Sequence, residues 1–283
     1  MFYADDTQLF ITSDKNDLDN SICLMETCIC AVKSWMDNNF LRLNDDKTEF
    51  IIFRSKYNDS PVFETVSLTV GGNIVHPKSV VRNLGVYMDK HLNMDDQINS
   101  ICKSTMYHIR QVGQIRRYLD KPATEKLIHA TICSRLDYTN SLLCGATASQ
   151  LFRLQKIQNT AARIVCRITK RTPITQFRQE LHWLPIHTRI EYKILILAFR
   201  AIHSGIPAYL HNILSKHATD RPTRSHHHNQ LKTLPSRTKS YGDRAFSRAA
   251  PRLWNALPPE LRSVNSLELF KAGLKTILFL RSY

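Results

Sequence analysis

The spacing of apolar residues changes near residue 94 and divides the chain into two regions. Before this point, short apolar runs bounded by turn residues predict β-strands around one helix. That helix is predicted from Leu18 to Met36, where apolar residues recur at steps of four and three and form one face. After residue 94, helical spacing continues through several segments. The chain therefore predicts a mixed α+β fold.

The strands of the first region are predicted from residue type and turn signals. Residues 1–4 and 7–12 are β-prone on either side of Asp5-Asp6, which predicts a hairpin. The pair Gly71-Gly72 lies between two β-prone runs and predicts a second hairpin. Those runs are 66–70 and 73–75, and single strands are predicted over 49–53 and 80–88.

Helices predominate in the second region, where proline and glycine mark their ends. Pro122 suits the first turn of one helix, and Gly205 followed by Pro207 ends another. Residues 215–240 are polar, basic and His-rich without an apolar period, which predicts a disordered linker. Helices are predicted from 94 onward, over about 122–143, 151–168 and 185–204, and over 266–279 within a small C-terminal segment, 241–283.

The composition is that of a globular protein, with 43% hydrophobic and 22% charged residues. No apolar run approaches about 18 residues, so no membrane-spanning helix is predicted. Acidic residues near the start, Asp5 and Asp6, do not suit a signal peptide. Seven cysteines without framework spacing indicate free thiols in a reducing compartment. We therefore expect an intracellular protein, in the nucleus or the cytoplasm, that is not secreted and has no membrane partner; its oligomeric state stays open.

The charge is distributed unevenly along the chain. Residues 1–100 contain 9 Lys and Arg against 15 Asp and Glu, whereas residues 101–283 contain 30 against 9. The second region thus carries a net charge of +21, within a total of +15. Such an excess favours a polyanionic partner such as nucleic acid or an anionic membrane. Two solvated domains of opposite sign are the alternative interpretation.

Adjacent carboxylates at the tip of the predicted first hairpin are the main candidates for chemistry. Asp5 and Asp6 would be held with little freedom between two strands. Two-metal phosphoryl transfer needs such anchored carboxylates, because the cations must lie about 4 Å apart. Asp-Asp is also ordinary turn chemistry. The dipeptide alone leaves both interpretations open.

Several sequence blocks occur in the order found in LINE-type, non-LTR reverse transcriptases of the jockey and chicken-repeat-like kind. Tyr3-Ala4-Asp5-Asp6 resembles the tip of the polymerase palm, and residues 41–50 (LRLNDDKTEF) resemble the next palm motif. Leu84-Gly85-Val86, with Asp89 and Leu92, is similar to the primer-grip region. The resemblance covers nearly the whole chain. Its later blocks are 135–143 (RLDYTNSLL), 154–163 (LQKIQNTAAR), 181–186 (LHWLPI), 241–246 (YGDRAF) and 250–255 (APRLWN).

The resemblance implies an RNA-directed DNA polymerase that acts on an RNA template and a DNA primer. It makes Asp5 a ligand of catalytic Mg²⁺ and Asp6 its supporting neighbour at the metal site. It makes Lys47 the residue that protonates the leaving pyrophosphate, whereas an isolated lysine there would be a surface residue. The implied primer grip comprises Leu84, Gly85, Val86 and Tyr87, and the implied contacts to the template–primer backbone are Arg110, Arg116 and Arg117 on the first thumb-like helix.

The resemblance also implies a domain organisation. Residues 1–92 would be the C-terminal part of the palm, a partial palm of short antiparallel strands plus a helix. Residues 93–214 would form a helical thumb and the helical region after it, followed by the linker 215–240 and the C-terminal helical segment 241–283. The family's palm needs a further metal-binding aspartate upstream of Tyr3, so we expect these 283 residues alone to be catalytically inert. The alternatives are a basic nucleic-acid-binding remnant without catalysis and a repurposed interaction module.

Other residue clusters give weaker signals. Cys23, Cys28 and Cys30 lie on the predicted helix at a spacing unsuited to zinc. His226-His227-His228 with His217 suits weak metal binding, although chance composition explains it better. Trp183 and Trp254 are predicted to be core anchors rather than stacking platforms for bases. None of these clusters changes the leading hypothesis.

Overall fold

The computed structural model describes residues 2–3, 6–14, 17–214, 229–236, 238 and 241–283. The chain forms two compact units, Met1–Asp96 and Gln97–Tyr283. It is mixed and mostly helical, with a few short antiparallel strands, which is compatible with an α+β fold. Among the described helices, none is long and apolar enough to cross a bilayer.

Three short hairpins and one long helix make up most of the first unit. Each hairpin is a separate two-stranded antiparallel sheet. The elements are β1 (Phe2–Tyr3), β2 (Asp6–Thr7), α1 (Leu18–Asn38), a 3₁₀ turn (Asp45–Lys47), a second 3₁₀ turn (Lys56–Asn58), α2 (Val62–Thr65), β3 (Leu68–Val70), β4 (Asn73–Val75), β5 (Val80–Asn83) and β6 (Val86–Asp89).

The core of this unit lies between α1 and the β3–β4 hairpin. Ile29 on α1 and Leu68 and Val70 on β3 are buried together. Met25 and Ile22, one and two turns before Ile29, pack against the same cluster. The predicted apolar face of the helix and the predicted turn at Gly71-Gly72 are therefore both confirmed.

Two strand predictions are wrong. Residues 49–53 form no regular strand, because the segment pairs only through an isolated bridge between Phe50 and Pro77. Residues 80–88 form a hairpin instead of one strand. Leu84 (φ 46°) and Gly85 (φ 80°) both adopt left-handed conformations, which suits a two-residue turn. A leucine rarely takes this conformation, so the residue types did not indicate the turn.

A buried carboxylate organises the connection from β6 to the next helix. Asp89 Oδ1 accepts hydrogen bonds from the backbone N–H groups of His91 and Asn93, both at 3.0 Å. Its Oδ2 accepts a third from Met94 at 2.8 Å. Because these three donors converge on one side chain, Asp89 fixes the loop that includes Leu92 and Met94, both with positive φ.

An ion-pair cluster joins the segment before α2 to the end of β6. Asp59 Oδ1 lies 2.5 Å from Arg54 Nε, and its Oδ2 lies 3.2 Å from both Lys90 Nζ and His91 Nε2. Glu64 approaches Arg54 Nη2 at 3.4 Å and Lys90 Nζ at 3.1 Å. The hydrogen bond from Arg54, with a smaller contribution from Lys90, lowers the pKa of Asp59 below its usual value of 3.8.

This lowered pKa predicts an acid-sensitive stability of the first unit. The ionised Asp59 carboxylate stabilises the folded state fully above its unfolded pKa, and the contribution is lost as the pH falls through the lower folded pKa. In urea unfolding between pH 6 and about pH 3, Asp59→Asn should therefore lose less stability than the wild type. Parallel losses in both proteins would contradict a role for this carboxylate.

The second unit is a helical assembly without paired strands in its described part. Its longer helices begin or end close to residues that the sequence indicates. The elements are α3 (Asp95–Ile115), a 3₁₀ turn (Arg116–Tyr118), α4 (Lys121–Ile128), a π-helical turn (His129–Cys133), α5 (Ser134–Asp137), a 3₁₀ turn (Asn140–Leu143), α6 (Ala148–Cys166), α7 (Thr175–Glu180), α8 (Ile186–Ser204), α9 (Ala208–Ile213), a 3₁₀ turn (Gly242–Arg244), α10 (Phe246–Asn255), α11 (Pro259–Arg262) and α12 (Leu267–Ser282).

Local signals account for these boundaries. The Asp120 carboxylate accepts a hydrogen bond from Ala123 N–H and caps α4. Thr147 and Gln150 form a reciprocal capping box at α6. Gly205 (φ 65°) ends α8 at the predicted position. The prediction of one continuous helix over 122–143 is wrong, because the chain passes through a π-helical turn and leaves the helix at Tyr138.

Helix α8 is the centre of the second unit and contacts α6, α9, α10 and α12. Its Phe199 ring stacks on Phe270 of α12, with ring centroids 4.4 Å apart. Phe270 lies 5.7 Å from the Trp254 ring of α10. All three side chains are almost fully buried. Trp254 is therefore a core residue, as predicted.

The predicted linker does not extend unbroken through residues 215–240. Residues 215–228, 237, 239 and 240 lie outside the described residues, and the histidines at 217 and 226–228 fall among them. Leu231 is buried, and its backbone exchanges two hydrogen bonds with the Asn255 side chain at 2.8 and 2.9 Å. Trp254 Nε1 donates to Asn229 O at 2.8 Å. A single apolar residue has no period, so this docking could not be predicted.

Candidate nucleic-acid interface

The β1–β2 hairpin carries the first predicted site residues. Tyr3 pairs with Asp6 and Phe2 with Thr7. Asp6 is exposed. Asp5 is outside the described residues. The predicted hairpin is present, with strands of two residues each.

A hydrogen bond connects this hairpin to the predicted primer grip. Gln8 Nε2, two residues after Asp6, donates to Asn83 Oδ1 at 2.7 Å. Asn83 is the last residue of β5 and directly precedes the turn at Leu84 and Gly85. The structure therefore brings the strand of Asp6 close to that turn, across 75 positions of sequence.

The turn itself displays one bulky side chain and buries another. Leu84 adopts a left-handed conformation with 38% of its surface exposed, whereas Val86 is buried. Tyr87 lies under the Arg82 guanidinium, 5.5 Å from the ring centroid. A leucine with positive φ costs free energy, and such strain is concentrated at functional sites. The turn at the tip of the β5–β6 hairpin is thus exposed and has a strained backbone.

Lys47 lies elsewhere in the unit, at the end of the 3₁₀ turn after α1. Its side chain is exposed, and within the described residues no hydrogen bond or ion pair joins it to Asp6. The same turn is anchored by Asp45, whose Oδ2 lies 3.3 Å from Lys33 Nζ. A side chain at Gly71 would displace the ends of these two side chains, and its left-handed backbone (φ 60°) favours glycine. The contact between Lys33 and Asp45 thus anchors the backbone just before Lys47.

The described residues do not form a complete metal site. Asp6 is the predicted metal ligand that can be placed, and a single carboxylate is too few for a two-metal centre. Across the described ranges, no group of three or more His, Cys, Asp or Glu side chains could hold a metal ion. We therefore derive no reaction step through Mg²⁺ from these residues.

The exposed side of α3 has cations and an aromatic ring in one row. Lys103, Tyr107, Arg110 and Gln114 follow one another at steps of four and three and are all exposed. The row continues to Arg117 in the next turn. The opposite face is buried through Ile98, Ile101, Thr105, Ile109 and Val112. Sequence reasoning selected Arg110 and missed Lys103 and Tyr107, although their helical spacing was a usable signal.

Arg116 and Arg117 have different roles despite being neighbours. The Arg116 guanidinium donates to three backbone carbonyls, of Ile164, Leu119 and Val165, at 2.6 to 2.9 Å. Burial lowers the pKa of Arg116. Arg117 is exposed, and its guanidinium lies 4.6 Å from the centroid of the Tyr118 ring. The structure thus uses Arg116 to hold the end of α6, while Arg117 faces solvent.

Further cations surround Arg117 where α3, α4 and α6 meet. Arg167 ends α6 in a left-handed conformation, and its Nη2 donates to the carbonyls of Arg116 and Leu119 at 3.3 and 3.2 Å. Lys121 begins α4. We call the exposed cations of this region, Arg117, Lys121 and Arg167, the basic corner.

Acidic groups also lie in the described surroundings of the basic corner. Asp120 is next to Lys121 and its carboxylate caps α4, and Glu125 and Glu180 lie near Cys166 at the end of α6. Tyr118 is 74% exposed and extends the row of aromatic and cationic groups. The sequence analysis did not single out Arg167, because only tertiary contacts bring it to the turn that follows α3. Positive charge and exposed rings together suit a phosphate backbone and unpaired bases.

The cysteines do not provide an alternative chemistry. All seven are free, and three are exposed on α1. Burial raises the pKa of Cys133 to about 11, which keeps this thiol protonated and unreactive.

Comparisons of the whole chain with protein-family models, with curated proteins and with solved structures find no match.

Proposed function

We propose that this chain binds the backbone of a template–primer duplex, as the C-terminal part of a non-LTR reverse transcriptase. The observation that carries the proposal is the exposed row on α3, from Lys103 to Arg117, which leads into the basic corner. The helical rise of 1.5 Å per residue gives this row a length of about 21 Å. That length spans several phosphates of one strand, so each cation can contact a different one.

The polymerase part of the proposal is supported by the first unit. The hydrogen bond between Gln8 and Asn83 joins the hairpin of Asp6 to the turn at Leu84. A polymerase needs this proximity, because the primer end must be held beside the metal-binding carboxylates. In this proposal, Mg²⁺ is bound only when a further aspartate, upstream of Tyr3 in a longer protein, completes the carboxylate set.

The first prediction concerns binding to an RNA–DNA hybrid. Replacing Lys103, Arg110 and Arg117 together by glutamine should weaken binding about tenfold or more near 100 mM salt. The slope of log affinity against log salt should fall by about two to three, because each lost phosphate contact removes close to one released counterion. Fluorescence anisotropy with a labelled hybrid measures both quantities.

A charge-matched variant controls for the change in net charge. Lys126, Arg200 and Lys232 are exposed in the same unit and lie outside the row and the basic corner. Their replacement by glutamine should leave the salt slope nearly unchanged. Equal slopes in the two triple variants, or wild-type binding insensitive to salt between about 50 and 200 mM, would contradict the proposal.

Primer extension separates the polymerase from a binding-only protein. The 283-residue chain should bind the hybrid without extending it, whereas a protein lengthened upstream by the palm strand should extend the primer. Asp5→Asn or Asp6→Asn should abolish that extension. Extension that survives both substitutions would reject the metal assignment. Absence of extension by the lengthened protein would favour the basic nucleic-acid-binding remnant.

A further inference from the structure

Helices α3 and α6 run side by side in the same direction. Arg153, in the second turn of α6, donates a hydrogen bond to the Asn99 side chain in the second turn of α3. At the other end, Arg116 donates to the carbonyls of Ile164 and Val165 in the last turn of α6. The exposed sides of the two helices therefore adjoin. We call the exposed residues of α3, of the 3₁₀ turn Arg116–Tyr118 and of α6 the α3–α6 surface.

Beyond the first turn of α3, this surface contains cations but no acidic residue. Asp95 and Asp96 are the only acids in α3, and α6 has none. Acids of other elements approach at the C-terminal end of α6, where Glu125 and Glu180 lie near Cys166. A polyanion that lies along both helices therefore meets positive charge over most of their length. The exposed cations are Lys103, Arg110, Arg117, Arg153 and Lys156.

Three aromatic rings of the α3–α6 surface are more than half exposed. They belong to Tyr107 (59%), Tyr118 (74%) and Phe152 (58%). The Arg117 guanidinium lies 4.6 Å from the centroid of the Tyr118 ring, and Lys156 Nζ lies 4.5 Å from that of Phe152. Tyr107 lies within one turn of Lys103 and of Arg110. Each exposed ring is thus accompanied by a cation.

Exposed rings beside cations suit an unpaired strand better than a duplex. In a duplex the faces of the bases are stacked on one another, so a ring at its surface contacts sugar and phosphate alone. In an unpaired strand each base can stack on a ring while a neighbouring cation contacts its phosphate. The duplex proposal above uses the cations of the α3 row and leaves the three rings, Arg153 and Lys156 without a role.

We propose that the α3–α6 surface binds an unpaired strand that continues from the template–primer duplex. The bases stack on Tyr107, Tyr118 and Phe152, and the phosphates pair with Arg153 and Lys156 as well as with the α3 row. This inference rests on the proposed function, because it extends the same row of cations. Since every base has an aromatic face, the surface accepts unpaired strands without a strong sequence preference.

The first test compares three RNA–DNA hybrids by fluorescence anisotropy with the full chain. One is blunt, one has an unpaired extension of about eight nucleotides, and one has the same extension without bases. The normal extension should strengthen binding about tenfold or more over the blunt hybrid. The abasic extension keeps the phosphates and should lose most of this gain. Equal gains from the two extensions would overturn the proposal, because charge alone would then explain them.

Removal of two rings provides the second test. Tyr107→Ala with Phe152→Ala, the ring variant, should reduce the gain from the normal extension about fivefold or more. Its affinity for the blunt hybrid and its salt slope should stay nearly unchanged, because no cation is lost. Circular dichroism checks that it is folded. A ring variant that keeps the full gain, or that weakens blunt and extended hybrids equally, would overturn the proposal.

A matched pair of rings outside this surface controls for the loss of exposed aromatic groups. Phe53 and Tyr209 are 49% and 57% exposed and lie on neither helix. Phe53→Ala with Tyr209→Ala should keep the full gain from the extension. A loss as large as that of the ring variant would contradict stacking at the α3–α6 surface.

A single-stranded oligonucleotide distinguishes failure of this inference from failure of the duplex proposal. The duplex proposal fails if the variant of Lys103, Arg110 and Arg117 binds the blunt hybrid as the wild type does. The present inference fails if the ring variant binds the isolated oligonucleotide as the wild type does. It also fails if a polyglutamate peptide binds as tightly as the oligonucleotide and is equally weakened in the ring variant, because such a peptide has charge without bases.

Discussion

Replacing Phe270 by alanine should lower the free energy of unfolding of the second unit by about 3–5 kcal/mol. The ring is fully buried between α12, α8 and α10, stacked on Phe199 and close to Trp254. Its removal loses apolar burial and leaves a cavity in a closely packed core. Urea unfolding followed by far-ultraviolet circular dichroism measures the change.

The neighbouring residue provides the control for this substitution. Leu269 lies on the same helix but is 66% exposed, so Leu269→Ala should change the free energy of unfolding by no more than about 0.5 kcal/mol. A loss below about 1 kcal/mol for Phe270→Ala would show that the aromatic cluster does not form the core of this unit.

Arg116→Met should lower the free energy of unfolding by about 2 kcal/mol, because three backbone carbonyls lose their donor. Arg117→Met should leave stability nearly unchanged and weaken hybrid binding several-fold, because its guanidinium is exposed above Tyr118. Urea unfolding and fluorescence anisotropy, measured on both variants, give the two quantities. The opposite result, with Arg117 affecting stability and Arg116 affecting binding alone, would contradict these assignments.

Arg116 and Arg117 also show that a resemblance alone does not assign the role of each cation. The resemblance implied that Arg110, Arg116 and Arg117 contact the template–primer backbone, since all three are cations in one thumb-like segment. In the structure, the Arg116 guanidinium donates hydrogen bonds to carbonyls at the end of α6, whereas Arg110 and Arg117 are exposed. Charge in a sequence predicts a polyanionic partner for the region, but exposure decides which cations can contact it.

The proposed polymerase site depends on tertiary contacts that could not be predicted from the sequence. Gln8 and Asn83 are 75 positions apart, and their hydrogen bond places the Asp6 strand near the turn at Leu84. Lys47, in contrast, has no recorded contact to Asp6 in the described part of the unit. Its predicted role in protonating pyrophosphate therefore stays a prediction, which the lengthened protein would test.

The sequence by itself determined most of the long helices and the uneven charge. Apolar residues at steps of three and four, with Pro122 and Gly205 near helix ends, are local signals that a helix needs. The same periodicity predicted the face of α1 that packs on β3. The total charge beyond residue 100 follows directly from composition.

Only the tertiary structure decided which residues lie together. The docking of Leu231 and the role of Arg116 both depend on contacts between distant positions. In both cases, hydrogen bonds to remote groups outweigh the local preference of the residue type. Local propensity is set by a few neighbours, whereas the partners of a buried polar or strained residue are set by the packing of the whole unit.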